Sequence, residues 1–348
     1  MKKLLAAGIV CTLLFAHGLV RAEIVRDLYA AQVPVTDQGA NALSAGARTA
    51  LAQVLVKVSG SDEVLRNPDI AAAMRNARKH VQQYVYVRDD QDRELLEAKF
   101  EFDDNWVIDL LVQAGEPLWT ANRPLVLVWL VVEDGSGRYF VNQESAPELA
   151  DELLKAFSRR GVPVQLPLFD LADSTALSTE EAWRLYGPAL QAASTRYEVD
   201  NFIGGRMVSV STGNATGDWS YFSRGDRVDR SVTAADAGEF VARGATLVAE
   251  NMAARFAVEP TQVAAGGVIL SVQGVNRYAD YANIVAWLEG LELIEHANIE
   301  RIVGDRIELR LEASAGAMQL ASIIELNQRL TPVAPHEAHI QLSYLWQN

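Results

Sequence analysis

The sequence predicts an α+β protein of three small modules behind a removable leader. Three observations carry that prediction. The first 22 residues read as a basic start followed by an apolar run. Beyond them, short alternating runs that suit half-buried strands are interleaved with apolar residues at 3–4-residue spacing that suit helices. Finally, residues 261–348 spell β-α-β-β-α-β, the ferredoxin-like pattern. The expected divisions are therefore a signal peptide at 1–22, an N-terminal α+β module at 23–120, a middle α/β module at 121–260 and a C-terminal ferredoxin-like module at 261–348.

In the leader, Lys2 and Lys3 precede an apolar stretch from Leu4 to Val20, and Val20-Arg21-Ala22 places cleavage after Ala22. Thr12, His17 and Gly18 interrupt the stretch, which makes it too short and too broken for a membrane span. The expectation is export to the periplasm as a soluble protein. The single cysteine, Cys11, lies inside this leader. Bulky Val10 stands where a lipid-bearing cysteine requires a small neighbour, and the apolar run continues past Cys11, which argues against a lipoprotein. After cleavage no disulfide, thiolate nucleophile or cysteine-ligated metal is open to the chain.

At 49% hydrophobic residues over 348, the chain can bury several cores. Its formal net charge of -14 resists nucleic acid and anionic lipid, both of which select clustered Lys and Arg. No second apolar run approaches the ~18 residues of a membrane helix.

In the first module, Tyr29 to Val35 alternates like a strand, and Asp37-Gln38-Gly39 turns the chain. Leu43, Ala47, Leu51, Val54, Leu55 and Val58 form one helical stripe, stopped by Gly60. Asn67-Pro68-Asp69 opens a second helix with Pro in its first turn. Val81 to Val87 and Leu95 to Phe102 read as strands joined by a polar tip at Asp89–Arg93. Asp103 or Asp104 then caps a helix ended by Gly115.

The middle module begins after Asn122-Arg123-Pro124 with the apolar run Leu125 to Val132, which marks a strand covered on both faces. A helix around Leu149, Leu153, Leu154 and Phe157 follows, then a strand at Val162 to Phe169 and a helix from Ser178. Phe202 to Ser211 and Trp219 to Arg224 read as a hairpin, and a last helix spans about Ala235 to Phe256. In the third module the strand Val268 to Val275, the helix Tyr281 to Leu291 and the arms Ile299 to Val303 and Arg306 to Leu311 lead to a second helix through Leu320 and Leu330. The strand His339 to Leu345 closes the series.

Catalytic motifs fail when tested one by one. There is no G-x-S-x-G elbow, P-loop or dinucleotide fingerprint. His336 and His339 stand three apart, where a zinc helix needs histidines four apart; Pro332 and Pro335 make this stretch a loop, and the pair reads as solvated. Asp89, Asp90 and Asp92 lack the spacing of a calcium loop, and Asp103-Asp104 reads as a helix cap. Trp219 and Tyr221 share one strand face. They either pack under neighbouring helices or form an exposed aromatic strip for a partner, the one site idea that survives. No catalytic residue, cofactor or metal is assigned.

The stretches Leu28-Tyr29-Ala30-Ala31-Gln32-Val33-Pro34-Val35, Ala50 to Gly60, Val81-Gln82-Gln83-Tyr84 and Ala121 to Leu130 resemble a family of exported proteobacterial proteins known as domain of unknown function two-thousand-and-sixty-six. That family carries no established activity, so no residue role follows from it. By element order the middle segment is similar to anticodon-binding-like periplasmic modules, such as the N-terminal part of TolB, the curli secretion lipoprotein and lipoprotein activators of penicillin-binding proteins. The outer segments are similar to modules of flagellar-assembly protein T. These resemblances imply a non-enzymatic protein that binds envelope proteins during cell-envelope assembly or maintenance. The alternatives are a carboxylate-dependent envelope hydrolase and a carrier of an apolar ligand.

Overall fold

The computed structural model describes residues 22–88, 96–209, 213–259, 267–326 and 329–347. Residues 1–21 of the expected leader, with Cys11, and the tip at Asp89–Arg93 lie outside the described residues. Mixed α+β architecture is what the chain adopts, with its helices packed on three principal sheets.

The N-terminal part runs β1 (Ala22–Ile24), β2 (Ala30–Pro34), α1 (Ala40–Ser59), α2 (Pro68–Met74), β3 (Val81–Arg88), β4 (Leu96–Phe102) and α3 (Asp104–Ala114). Strands β2, β4 and β3 form an antiparallel sheet in that order. The whole α1 stripe from Leu43 to Val58 is buried. Gly60 ends this helix in the left-handed region at φ 83°, and its N–H donates to the Val56 carbonyl. A Cβ there would also lie 2.1 Å from that of Ala253, so the position needs glycine for close approach as well as for φ. Asn67 and Asp103 cap α2 and α3 by accepting the backbone N–H of Asp69 and Trp106.

The central part continues with β5 (Asn122–Pro124), β6 (Val126–Asp134), β7 (Gly137–Phe140), α4 (Pro147–Arg159), β8 (Val164–Gln165), α5 (Leu171–Ala176), α6 (Thr179–Trp183), α7 (Gly187–Ser194), β9 (Asn201–Ser209), β10 (Ala215–Ser223), β11 (Asp226–Ala234) and α8 (Ala237–Phe256). Its sheet has the order β11-β10-β9-β6-β7, with β8 beside the start of β6. Strand β6 is buried from Val126 to Val132 because both faces are covered. Val126, Val128 and Leu130 share a core with α4 and α8, while Leu127, Trp129 and Val131 pack with residues of α6 and α7. The expected hairpin is a three-stranded meander. Strand β11 shows almost no apolar alternation, because Arg227, Asp229 and Arg230 lie on an open edge.

The C-terminal part comprises β12 (Val268–Gln273), α9 (Tyr278–Glu289), β13 (Ile294–Val303), β14 (Arg306–Ala313), α10 (Ala317–Leu326), β15 (Leu330–Pro332) and β16 (Leu342–Trp346). The sheet order is β13-β14-β12-β16-β15. A ferredoxin-like sheet would close with an antiparallel fourth strand beside β12. Here β16 runs parallel to β12 and separates it from β15. The β-α-β-β-α-β series is thus completed by short β15, and β16 is an inserted fifth strand. The connection 333–341, which lets the chain reverse and enter this gap, carries His336 and His339.

These parts are joined at β5, which pairs with β1. Arg123 is fully buried and lies 3.6 Å over the Trp119 ring. Its guanidinium donates to the carbonyls of Thr120 (2.9 Å), Gly161 (2.8 Å), Lys57 (2.8 Å) and Trp119 (2.7 Å). Nearby, Glu292 accepts the Tyr29 hydroxyl at 3.1 Å and the Ala121 N–H at 2.8 Å. Burial raises the pKa of this carboxyl. One apolar cluster runs from Leu28 to Tyr344, so the first and third sheets share a continuous core.

Lys57 sits in the same joint, donating to the carbonyls of Asp27 (3.0 Å) and Ala30 (2.7 Å). Burial, helped by Arg123, pushes its ammonium down to about 8. Because the folded value lies below the unfolded one, the penalty is full below pH 8 and is relieved as the unfolded chain also deprotonates. Relative to Lys57→Met, the wild type should therefore gain up to ~3 kcal/mol between about pH 8 and about pH 10.5. Urea unfolding of both proteins across that range checks this; a constant difference contradicts it.

Candidate functional site

An open groove of about 940 Å³ lies where α6, α7 and the ends of β9, β10 and β11 meet. Ser178 starts α6 with a reciprocal cap to Glu181. The helix then stops at Leu185, held at φ 51° in the left-handed region, and Pro188 starts α7. A branched apolar residue in this region is costly, of order 1–2 kcal/mol. The buried Leu185 side chain is held there by the cradle at Gly204, where a Cβ would lie 3.2 Å from it. The groove floor is the Phe202–Phe222 stack, centroids 4.8 Å apart and 15° from parallel. Phe222 lies against Gly187, where a Cβ would come within 2.9 Å of the ring.

The rim is mostly cationic on a chain of net charge -14. Arg227 donates to Asp229, to the Ser220 hydroxyl and to the Leu185 carbonyl. Arg184 pairs with Glu180 at 3.0 Å. Arg224 occupies the β10–β11 turn with Gly225, both at positive φ (50° and 91°), as a two-residue hairpin demands. Its guanidinium has no hydrogen bond or ion pair among the described residues. Tyr186 is 56% exposed beside it. Glu198 and Asp200 line the opposite wall.

That wall is braced from behind. Arg196 donates to Asp170 at 2.6 Å and to buried Asp173 at 2.9 Å, and the Tyr197 hydroxyl donates to Asp173 at 2.5 Å. Hydrogen bonding from Arg196 holds the Asp170 carboxyl well below the usual carboxylate range. Neither Asp170 nor Asp173 lines the groove. This perturbed carboxylate belongs to an ion pair that positions the wall.

Trp219 and Tyr221 do not form an exposed strip. Both are buried against α8. The Trp219 ring stacks on Phe240 at 5.2 Å and its Nε1–H donates to the Phe240 carbonyl at 3.2 Å; the Tyr221 hydroxyl donates to Asn201. The reason is the two-residue period of a strand: Trp219 and Tyr221 face the helical layer, whereas Phe222 faces the other way, into the groove. Trp219 and Tyr221 thus lie on a strand that also lines the groove, but on the face turned away from it. Tyr186 and Phe222 were missed; the turn signal Arg224-Gly225 between two alternating runs could have placed the groove rim. His336 and His339 lie in a loop and are exposed, as expected, and each also brings a ring nitrogen to within 3.9 Å and 3.7 Å, respectively, of buried Glu308.

Comparison with known proteins adds one family match. Residues 22–120 match a family described as Domain of unknown function (DUF8605). This supports the coarser reading, an uncharacterised domain, while the family expected from the sequence is a different one. The match covers the first sheet and its helices and stops before the groove. No curated protein matches the chain. Among solved structures, one described as the crystal structure of an uncharacterized protein is 12% identical over 37% of this chain and 90% of its own, with a TM-score of 0.18, which is too low to support any argument. Among the described residues, no helix is long and apolar enough to cross a membrane.

Proposed function

We propose that this chain is a non-enzymatic binding protein of the cell envelope, exported by its leader, and that the middle groove receives an extended segment of a partner protein. The observation that carries this reading is the pairing of an aromatic floor with the uncommitted guanidinium of Arg224. Aromatic and arginine side chains in concave, partly desolvated sites supply a disproportionate share of interface energy. An acidic or C-terminal carboxylate group on the partner would complement Arg224, with an apolar side chain on Phe222. An apolar-ligand carrier calls for an enclosed cavity, and this groove is open along its length. A hydrolase calls for two carboxylates placed about a substrate bond, and the perturbed Asp170 carboxylate lies outside the groove in an ion pair with Arg196.

The test is photocrosslinking in cells with a photoreactive phenylalanine analogue in place of Tyr186, compared with the same analogue at exposed Leu345. A discrete adduct is expected at position 186 only, reduced about tenfold by Arg224→Ala. Equal labelling at the two positions contradicts the reading.

A further inference from the structure

We propose that the C-terminal sheet carries a binding site for one divalent transition-metal ion of the zinc class, built from Glu308, His336, Glu337 and His339. The site begins with strand alternation. Ile307 and Leu309 of β14 enter the core, so Glu308 points to the opposite face of the sheet, where it is nonetheless buried. Ser271 of β12 stands beside it in register and Ser343 of β16 beside Ser271, forming a polar row across three strands. Both serine hydroxyls are buried with no hydrogen-bond partner. Buried polar groups are nearly always satisfied, so two orphaned hydroxyls beside a buried carboxylate mark a place built for something more.

The inserted strand explains how the other ligands arrive. The connection 333–341 joins the antiparallel neighbours β15 and β16 and is anchored by buried Ile340. It brings His336 Nε2 to 3.9 Å from Glu308 Oε1 and His339 Nε2 to 3.7 Å from Glu308 Oε2. His339 Nδ1 is 3.5 Å from Glu337 Oε2. Donor atoms of Glu308, His336 and Glu337 all fall within 4.8 Å of one another. A tetrahedral ion bound at ~2.0–2.2 Å spaces its ligand atoms ~3.3–3.6 Å apart, so a small inward closure brings these three to ligand spacing. His339 meets Glu308 through Nε2 and Glu337 through Nδ1, and it supplies one of these nitrogens as the fourth ligand once its ring turns toward the ion. Two imidazoles with two carboxylates suit zinc over calcium or magnesium, which prefer all-oxygen sets. Ser271, on the strand next to Glu308, then offers a hydroxyl that can turn to the ligating carboxylate as it shifts, and Ser343 extends the polar row one strand further.

One group stands in the way. Arg301 bridges the two carboxylates, 2.9 Å from Glu308 and 2.6 Å from Glu337. It extends from the edge strand β13, its side chain is 45% exposed, and it can withdraw into solvent as the ion enters. Arg301 is thus a competing cation, and this makes the proposal sharply testable. Arg306, 3.8 Å from both Glu308 and Glu337, adds a weaker competing charge.

Untagged protein would be titrated with zinc chloride by calorimetry, with cobalt(II) absorption reporting coordination number. One equivalent is expected to bind with micromolar affinity. His336→Gln with His339→Gln should weaken binding at least about tenfold and remove the four-coordinate cobalt spectrum. Arg301→Gln should tighten it several-fold, which a purely structural ion pair would not do. His296→Gln, a histidine outside the cluster, serves as the control and should bind as the wild type. Absence of saturable binding at about 100 µM zinc, equal affinity in the double histidine variant, or weaker binding in Arg301→Gln overturns the site.

Discussion

Arg123→Ala is expected to remove at least ~4 kcal/mol of stability, the largest effect of any single change in the joint. The guanidinium donates to five backbone carbonyls from three parts of the chain, at Lys57, at Trp119 and Thr120, and at Arg160 and Gly161. Truncation leaves these carbonyls buried without donors at ~1–3 kcal/mol each, and it strips the Trp119 ring of its stacked cation. Relaxation and entering water return part of this, so the simple sum is an upper bound. Arg123→Lys should recover less than half, because one ammonium cannot span a planar fork of acceptors. Urea unfolding monitored by tryptophan fluorescence measures both variants. A loss below about 1 kcal/mol for Arg123→Ala would show that the joint is not held by this residue.

Trp219→Ala is expected to cost ~3–5 kcal/mol by opening a cavity beneath α8. The pocket is tailored to the indole from both sides: a Cβ at Gly205 or Gly244 would come within 2.4 Å and 2.5 Å of the ring. Gly244→Ala should accordingly destabilise by overpacking, by ~1–3 kcal/mol, although alanine is the better helix former in isolation. In the double variant Trp219→Ala with Gly244→Ala, the added methyl enters the vacated space, so the combined loss should be smaller than the sum of the single losses. Calorimetric unfolding of the four proteins tests this; strict additivity would mean that residues 219 and 244 do not share a packed interface.

Both predictions fall on features that the sequence signalled unequally. The α1 stripe from Leu43 to Val58, the helix start at Asn67-Pro68-Asp69, the cap at Asp103 or Asp104 and the glycine stops at Gly60 and Gly115 were all legible, because each depends on residues within a turn or two of one another. Asn122-Arg123-Pro124 was legible only as a junction between modules. Nothing local distinguishes an arginine on a surface turn from one that fastens three segments, since its partners lie 66 positions upstream and 38 downstream. Strand β11 was missed because an edge strand of Arg, Asp and Ser need not alternate in polarity to pair. The groove escaped for the same kind of reason: Tyr186, Phe222 and Arg224 are unremarkable until α7 and the hairpin tip are brought together.

What the sequence determined by itself is the α+β class and most of the helices and strands. Periodicity and capping are local, and local physics is written in consecutive residues. Tertiary structure alone decided that Trp219 and Tyr221 face a helix while Phe222 faces a groove, because the two faces of a strand are equivalent until neighbours cover one of them. It alone decided that β16 enters between β12 and β15, parallel to β12. Strand order rests on pairing between distant segments, and that pairing sets His336 and His339 across the sheet from a buried glutamate.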